Sequence, residues 1–249
     1  MENSKHRFGL IGFPLTHSFS KRYFTEKFEA TGLTGTHRYD LFEIEDIRAL
    51  PAILAETEGL RGLNVTIPHK LNVLPYLSEI DPAAERIGAV NVLKIQADGR
   101  LKGYNSDYYG FRRSLEEFLA GAKPLNALVL GNGGAARAIR VALDDMGIPY
   151  KLVSRTAGDD RISYPEANTL LEDHTLIINC TPLGTYPKTD TAPEIDYEQL
   201  SSAHFLYDLV YNPEETLFMK KGKAQGAKTI NGYQMLVYQA EKSWDIWNS

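Results

Sequence analysis

Several short stretches of this chain have the residue types and spacing for chemistry. Gly131-Asn132-Gly133-Gly134-Ala135-Ala136 follows the apolar run Leu128-Val129-Leu130 and precedes a helix-forming run. Gly131, Gly133 and Ala136 fill a G-x-G-x-x-[G/A] pattern in the order strand, turn, helix. Gly131 permits the turn, Gly133 lets backbone approach a pyrophosphate, and Ala136 lets the helix pack close to its strand. The helix start then offers N–H groups and partial positive charge to phosphates. The alternative is a glycine-rich β–α turn with no ligand. Elsewhere, Ser18 and Ser20 stand two apart. In an extended backbone both hydroxyls aim the same way, which suits a carboxylate or polyol. Equally, they could cap the helix that starts near Lys21. Asn64 and Thr66 share one face of a strand running from Gly59 to Pro68, with Val65 and Ile67 on the other. Lys70 lies just past that strand, where α/β sheets bind ligands, although spacing alone favours a solvated lysine. Asp107 opens a helix, and alone it reads as a helix cap.

A second strand of the glycine-turn unit ends at Ser154-Arg155-Thr156. An acid at that place would take a ribose 2′-hydroxyl, and none stands there; Asp159 and Asp160 come later. A guanidinium instead binds a 2′-phosphate through paired, charge-assisted hydrogen bonds. Arg155 therefore argues for NADP over NAD, against the alternative of an exposed loop arginine.

The elements that must position these residues change character along the chain. Before Asn126 the segments are mixed. They are a strand Phe8–Gly12, a helix Lys21–Ala30 and a strand Thr36–Ile44. A helix Asp46–Glu58 follows, then a helix opening at Pro82 and a strand Gly88–Ile95. An Asp98-Gly99 hairpin turn leads to Leu101–Asn105, and a helix runs Tyr108–Ala120. From Asn126 strand and helix alternate. The strands are Ala127–Leu130, Tyr150–Val153, Thr175–Asn179, Phe205–Leu209 and Lys228–Ile230. The helices are Ala135–Met146, Pro165–Leu171 and Glu214–Gly222. The expected fold is α/β with two domains: an N-terminal α/β substrate domain and a Rossmann-type dinucleotide-binding domain. A last helix, Tyr233–Trp247, returns to the first. The expected division is 1–105 with 233–249, against 106–232.

Composition sets limits. Lys+Arg 27 against Asp+Glu 32 leaves a net charge of −5, so no basic excess exists to track nucleic acid or anionic lipid. A single cysteine excludes an internal disulfide and a cysteine-rich metal site, and fits a reducing cytoplasm. The six histidines are scattered, so no metal is expected. The polar start lacks the apolar core of a signal peptide, and no apolar run approaches the ~20 residues of a membrane helix. A cytoplasmic monomer or homodimer acting on a small molecule is expected.

Taken in order, these motifs resemble the shikimate dehydrogenase family from Gly12 to Ala240. Gly12-Phe13-Pro14-Leu15-Thr16-His17-Ser18-Phe19-Ser20 is similar to G-x-P-x-x-H-S-x-S-P, with Lys21 in place of the proline. Gly62-Leu63-Asn64-Val65-Thr66-Ile67-Pro68-His69-Lys70 is similar to G-x-N-V-T-x-P-x-K, and Gly88-Ala89-Val90-Asn91 to G-A-V-N-T, with Val92 for threonine. Gly103-Tyr104-Asn105-Ser106-Asp107-Tyr108-Tyr109-Gly110 resembles G-x-N-T-D-x-x-G, with Tyr108 for a common glycine. Asn179-Cys180-Thr181-Pro182-Leu183-Gly184 resembles N-x-T-P-x-G. Asp208–Pro213 and Gly232–Ala240 complete the set, with Gln234 where glycine is frequent.

The resemblance implies an enzyme that reversibly reduces 3-dehydroshikimate to shikimate with NADPH in aromatic amino-acid biosynthesis. It implies Lys70 as the catalytic lysine and Asp107 as its acidic partner. Ser18 and Ser20 would take the substrate carboxylate, and Asn91 a substrate hydroxyl. Asn64, Thr66, Tyr211 and Gln239 would complete the substrate pocket. For NADP(H) it implies Gly131, Asn132, Gly133, Gly134, Ala135, Ala136, Ser154, Arg155, Thr156, Thr181 and Gly232. Cys180 becomes a packing residue. Two other readings remain: a quinate/shikimate relative of broader specificity, which Arg155 disfavours in its NAD form, and a non-catalytic NADPH/shikimate sensor, which would have no use for Lys70 and Asp107 as a proton-transfer pair.

Overall fold

Burial along the first strand shows how its sheet is covered on both sides. β1 (His6–Gly12) turns Phe8 and Leu10 to one core and Ile11 to another. The structure, a computed structural model, describes residues 6–15, 18–124 and 126–249. Thr16 and His17 of the serine motif lie outside them. After β1 come α1 (Phe19–Ala30), β2 (His37–Glu43), α2 (Leu50–Glu56), β3 (Leu60–Val65) and α3 (His69–Asn72). Then follow β4 (Glu79–Ile80), α4 (Pro82–Ile87), β5 (Val92–Ile95) and β6 (Leu101–Tyr104). Their sheet runs β2-β1-β3-β5-β6-β4. β1 is parallel to β2 and β3, and β5 is antiparallel to β3 and β6.

The remaining elements are α5 (Ser106–Leu119), β7 (Ala127–Leu130), α6 (Gly134–Asp145), β8 (Tyr150–Val153), β9 (Arg161–Ile162) and α7 (Tyr164–Asn168). β10 (Leu176–Asn179), β11 (Phe205–Asp208), α8 (Leu217–Ala224), β12 (Lys228–Ile230) and α9 (Tyr233–Asn248) follow. Their sheet runs β12-β11-β10-β7-β8-β9 with parallel pairing throughout. Strand order reverses between β7 and β10, and ligands of open parallel sheets sit beyond the strand ends at such a point. The chain divides into two compact units, Met1–Ser106 with Gln239–Ser249, and Asp107–Tyr238. The end of α9 belongs to the first unit, where Ala240, Ile246 and Trp247 join Phe8, Leu10, Phe24, Phe28 and Tyr39 in one core.

Several local expectations change. Ser20 lies in the first turn of α1 and not in extended backbone, so the two serines do not share a strand face. β3 stops at Val65, so Ile67 does not continue the buried face and is 72% exposed. The strand expected from Gly88 begins only at Val92, because Gly88 adopts φ +68 and caps α4. α8 starts at Leu217 and not Glu214, because the Thr216 hydroxyl accepts from Met219 N. β4 and β9 are two-residue edges, too short to leave a periodic signal.

Gly62 faces Trp247 directly. A Cβ built there would stand 2.2 Å from the indole and 2.8 Å from the Leu93 carbonyl oxygen, which accepts the indole N–H at 3.0 Å. Neither neighbour is a flexible side-chain end. Gly62→Ala is expected to lower stability by about 1–3 kcal/mol through overpacking. Gly35→Ala, which meets nothing within 4 Å, should change it by less than about 0.5 kcal/mol. Urea denaturation of both variants checks the difference.

Candidate functional site

In the first unit, Asn64, Asn91 and Gln239 come from β3, the turn before β5, and α9. All are buried, so their amides must be satisfied internally. The Tyr39 phenol donates to Asn64 Oδ1 at 2.8 Å, and Asn64 Nδ2 donates to Ser243 Oγ at 2.9 Å. Ser106 N donates to Asn91 Oδ1 at 2.7 Å, and Asn91 Nδ2 donates to Ser106 Oγ at 3.1 Å. Ser106 Oγ in turn stands 3.3 Å from both Gln239 Oε1 and Ser243 Oγ. The three expected substrate amides thus belong to one network whose junctions are hydroxyls. Tyr39 and Ser243 carried no sequence motif. Ser243 follows Gln239 by four residues on one helix, so it shares that face, which is the signal that could have found it.

The serines divide their roles. Ser18 caps α1, its Oγ accepting from Lys21 N at 3.1 Å. A hydroxyl that accepts there keeps its own hydrogen to donate elsewhere. Ser20 follows in the first turn of the same helix. Lys21, in place of the family's proline, donates from Nζ to the Tyr39 carbonyl and ties α1 to β2. Thr66 lies just past β3, its methyl against Gly12, where a Cβ would come within 2.4 Å. Lys70 is the second residue of α3 and half-buried, and its carbonyl accepts from Val90 N at 2.9 Å. Val92 is fully buried among Phe8, Leu10 and Tyr39.

In the second unit, a cavity of about 910 Å³ lies against the glycine turn. Gly131, Asn132, Gly133, Ser154, Arg155 and Thr181 line it. Cys180, Tyr164, Asp190, Glu194, Leu217 and Lys221 form more of its wall. No motif marked the last five, because α7, a loop and α8 bring them in. Gly131 has φ +99, and a Cβ there would meet Thr181 Cγ2 at 2.9 Å. At Gly133 and Gly134 a Cβ would meet nothing, so the turn's outer face is open. α6 has no side-chain cap on its first N–H groups. An open glycine face and an arginine in one cavity, with an uncapped helix starting next to it, fit a dinucleotide phosphate group.

Gly134 and Ala135 begin α6, and Ala136 is fully buried beneath it. Those three, Thr156 and Gly232 do not line the cavity. Gly232 instead has the Leu209 carbonyl oxygen 2.2 Å from where a Cβ would stand. Tyr211 is 38% exposed just past β11. Asp107 is half-buried in the first turn of α5, and Tyr108 donates to Asp145 Oδ2 at 2.7 Å. Burial pushes the Cys180 thiol up, so it is not a thiolate near neutrality. Among the described residues no group of three or more His, Cys, Asp or Glu could hold a metal, and no helix is long and apolar enough to cross a membrane.

The all-parallel sheet and its bare helix start over a glycine turn define the Rossmann class of dinucleotide-binding folds. Residues 10–93 match the shikimate dehydrogenase substrate binding domain. The NADP(+) shikimate dehydrogenase of Methanosphaera stadtmanae is 37% identical, over 96% of this chain and 89% of its own. A crystal structure of shikimate 5-dehydrogenase from Thermus thermophilus, with NADP(H) and shikimate, is 34% identical with TM-score 0.78, covering 97% and 93%. Quinate dehydrogenase from Corynebacterium glutamicum, in complex with NAD, is 27% identical with TM-score 0.87, covering 97% and 93%. The chain belongs to the shikimate dehydrogenase family.

A carboxylate supports the cavity from behind. Asp208 is fully buried and accepts from Asn179 Nδ2 at 2.9 Å, Val210 N at 3.0 Å and Thr216 Oγ1 at 2.6 Å. Asn179 Oδ1 accepts from Thr181 N and Oγ1. Burial pushes the Asp208 carboxyl up to about 6, from 3.8, against the lowering effect of those hydrogen bonds. The folded state therefore holds a proton that the unfolded chain has released. The resulting stability is fully present below pH 3.8 and is lost as pH rises through about 6. Asp208→Asn should flatten that slope, which is at most about 1.4 kcal/mol per pH unit. Urea denaturation of both proteins between pH 4.5 and 6.5 (roughly the window that linkage sets) checks it.

Proposed function

We propose that this protein reduces 3-dehydroshikimate to shikimate with NADPH, reversibly, as a step of aromatic amino-acid biosynthesis. What carries the reading is family likeness that continues through both units and keeps Lys70, Asp107, Asn64 and Asn91 in their motifs. In this reading residues 1–105 and 233–249 form the substrate-binding catalytic domain, and 106–232 the NADP-binding domain. When bound, the reduced nicotinamide supplies the hydride, which no side chain can.

The chain's own residues do the rest. Lys70 as an ammonium donates to the carbonyl oxygen that becomes the alkoxide, so it stabilises charge as it develops. Asp107 is the acid of the same proton-transfer pair. Ser18 donates its hydroxyl hydrogen to the substrate carboxylate while its oxygen caps α1. Ser20 and Thr66 join it, with Asn64, Asn91, Gln239 and Tyr211 on the ring hydroxyls. Arg155 takes the 2′-phosphate, and Asn132, Ser154, Thr156 and Thr181 flank the cofactor. Gly131, Gly133, Gly134 and Ala135 carry its pyrophosphate, Ala136 lets the helix beneath it pack close to its strand, and Gly232 lies near the nicotinamide.

Turnover followed at 340 nm (about where reduced nicotinamide absorbs), with shikimate and quinate against NADP and NAD, tests the reading. Shikimate with NADP should be the fastest pair. Faster quinate oxidation with NAD would favour the quinate relative, and no turnover with any pair a sensor. Lys70→Ala should lower kcat by about 10²–10⁴-fold with shikimate still bound; near-parent turnover would remove Lys70 from catalysis. Arg155→Ala should raise the KM for NADPH by about tenfold to a hundredfold and that for 3-dehydroshikimate by less than about twofold. Equal effects on both would remove the 2′-phosphate role.

A further inference from the structure

The geometry points to Tyr39 as a positioning residue that, opposite Ser243, fixes the Asn64 carboxamide as a hydrogen-bond acceptor toward the substrate. The inference rests on the substrate-pocket reading of Asn64. A carboxamide has two nearly isosteric ends, and its neighbours alone decide which end points where. Tyr39 stands at one end. Its ring is fully buried and stacked on Phe24, with centroids 4.8 Å apart and planes 11° from parallel. Its hydroxyl is 2.8 Å from Asn64 Oδ1 and has a hydrogen to give.

Ser243 stands at the other end and is fully buried. Its own hydrogen goes to the Gln239 carbonyl, 2.8 Å away, one turn earlier on α9. Toward Asn64, 2.9 Å away, it therefore presents only lone pairs. A flipped amide would take away the phenol's acceptor and set oxygen against the Asn91 carbonyl and the Ser243 lone pairs. The observed orientation satisfies both ends. It also commits both Nδ2 hydrogens, one to Ser243 and the other toward the Asn91 carbonyl at 3.4 Å. What Asn64 keeps is a second lone pair on Oδ1. That suits the O–H of a ring hydroxyl and not a carboxylate.

The role separates from plain packing by a double-mutant cycle on the KM for shikimate. Tyr39→Phe keeps the ring and its stacking and removes only the donor. It should raise the KM for shikimate by about tenfold and leave the KM for NADP within about twofold, the size of one buried hydrogen bond. In an Asn64→Ala background the same change should add nothing, because the group it positions is gone. Ser243→Ala attacks the amide from its other end and should repeat the pattern if Tyr39→Phe fails to fold. An equal rise in both backgrounds, or no rise in either, overturns the positioning role. If Asn64→Ala alone leaves the KM for shikimate unchanged, the pocket reading of Asn64 fails instead.

Discussion

A buried amide must have its hydrogen bonds met inside the protein, and the first unit is arranged around that constraint. Leaving one such group unpaired costs about 1–3 kcal/mol, a large share of a domain's net stability. Asn64, Asn91 and Gln239 are buried, and each finds partners on a different element. The hydroxyls of Tyr39, Ser106 and Ser243 join β2, β3, the start of α5 and α9 into one polar layer. Aromatic packing seals it, with Phe8 on Trp247 at 4.8 Å and Phe24 on Tyr39. Low dielectric strengthens a satisfied network and penalises a broken one, so the same residues that hold the fold also hold their orientation.

The second unit answers to a different demand, close approach of backbone. Its sheet is parallel throughout and buried on both faces, which explains runs such as Ala127–Leu130 and Leu176–Asn179 with every residue buried. The chain reverses its strand order between β7 and β10, and there Gly131 passes within a methyl's distance of Thr181. Asp208, Asn179 and Thr181 form a hydrogen-bonded chain behind that passage. The cavity beside the open glycine face thus owes one wall to sterics and another to a buried carboxylate.

Much of this was legible in the residues. The strands Ala127–Leu130, Tyr150–Val153 and Lys228–Ile230 appear at their expected limits, because the turn residues that bound such short strands leave little freedom. The Asp98-Gly99 hairpin forms, with Gly99 at φ +81. Less legible was anything decided by a residue's partner. Ser18 and Ser20 are two apart in either an extended segment or a helix start, and only the hydrogen bond to Lys21 N selects the cap. Gly88 reads as part of a strand until its left-handed conformation ends α4.

The sequence by itself determined the order of elements, the glycine turn, the absence of an acid beside Arg155, and family membership through motifs spread along both units. Those depend on local sterics and on residue identity. Tertiary structure alone decided that Tyr39 and Ser243 flank Asn64, that Asp208 is buried behind Thr181, and that Tyr164, Asp190, Glu194 and Lys221 share a cavity with Arg155. Those depend on residues of separate elements meeting in space, and hydrogen-bond direction and burial exist only once they have met.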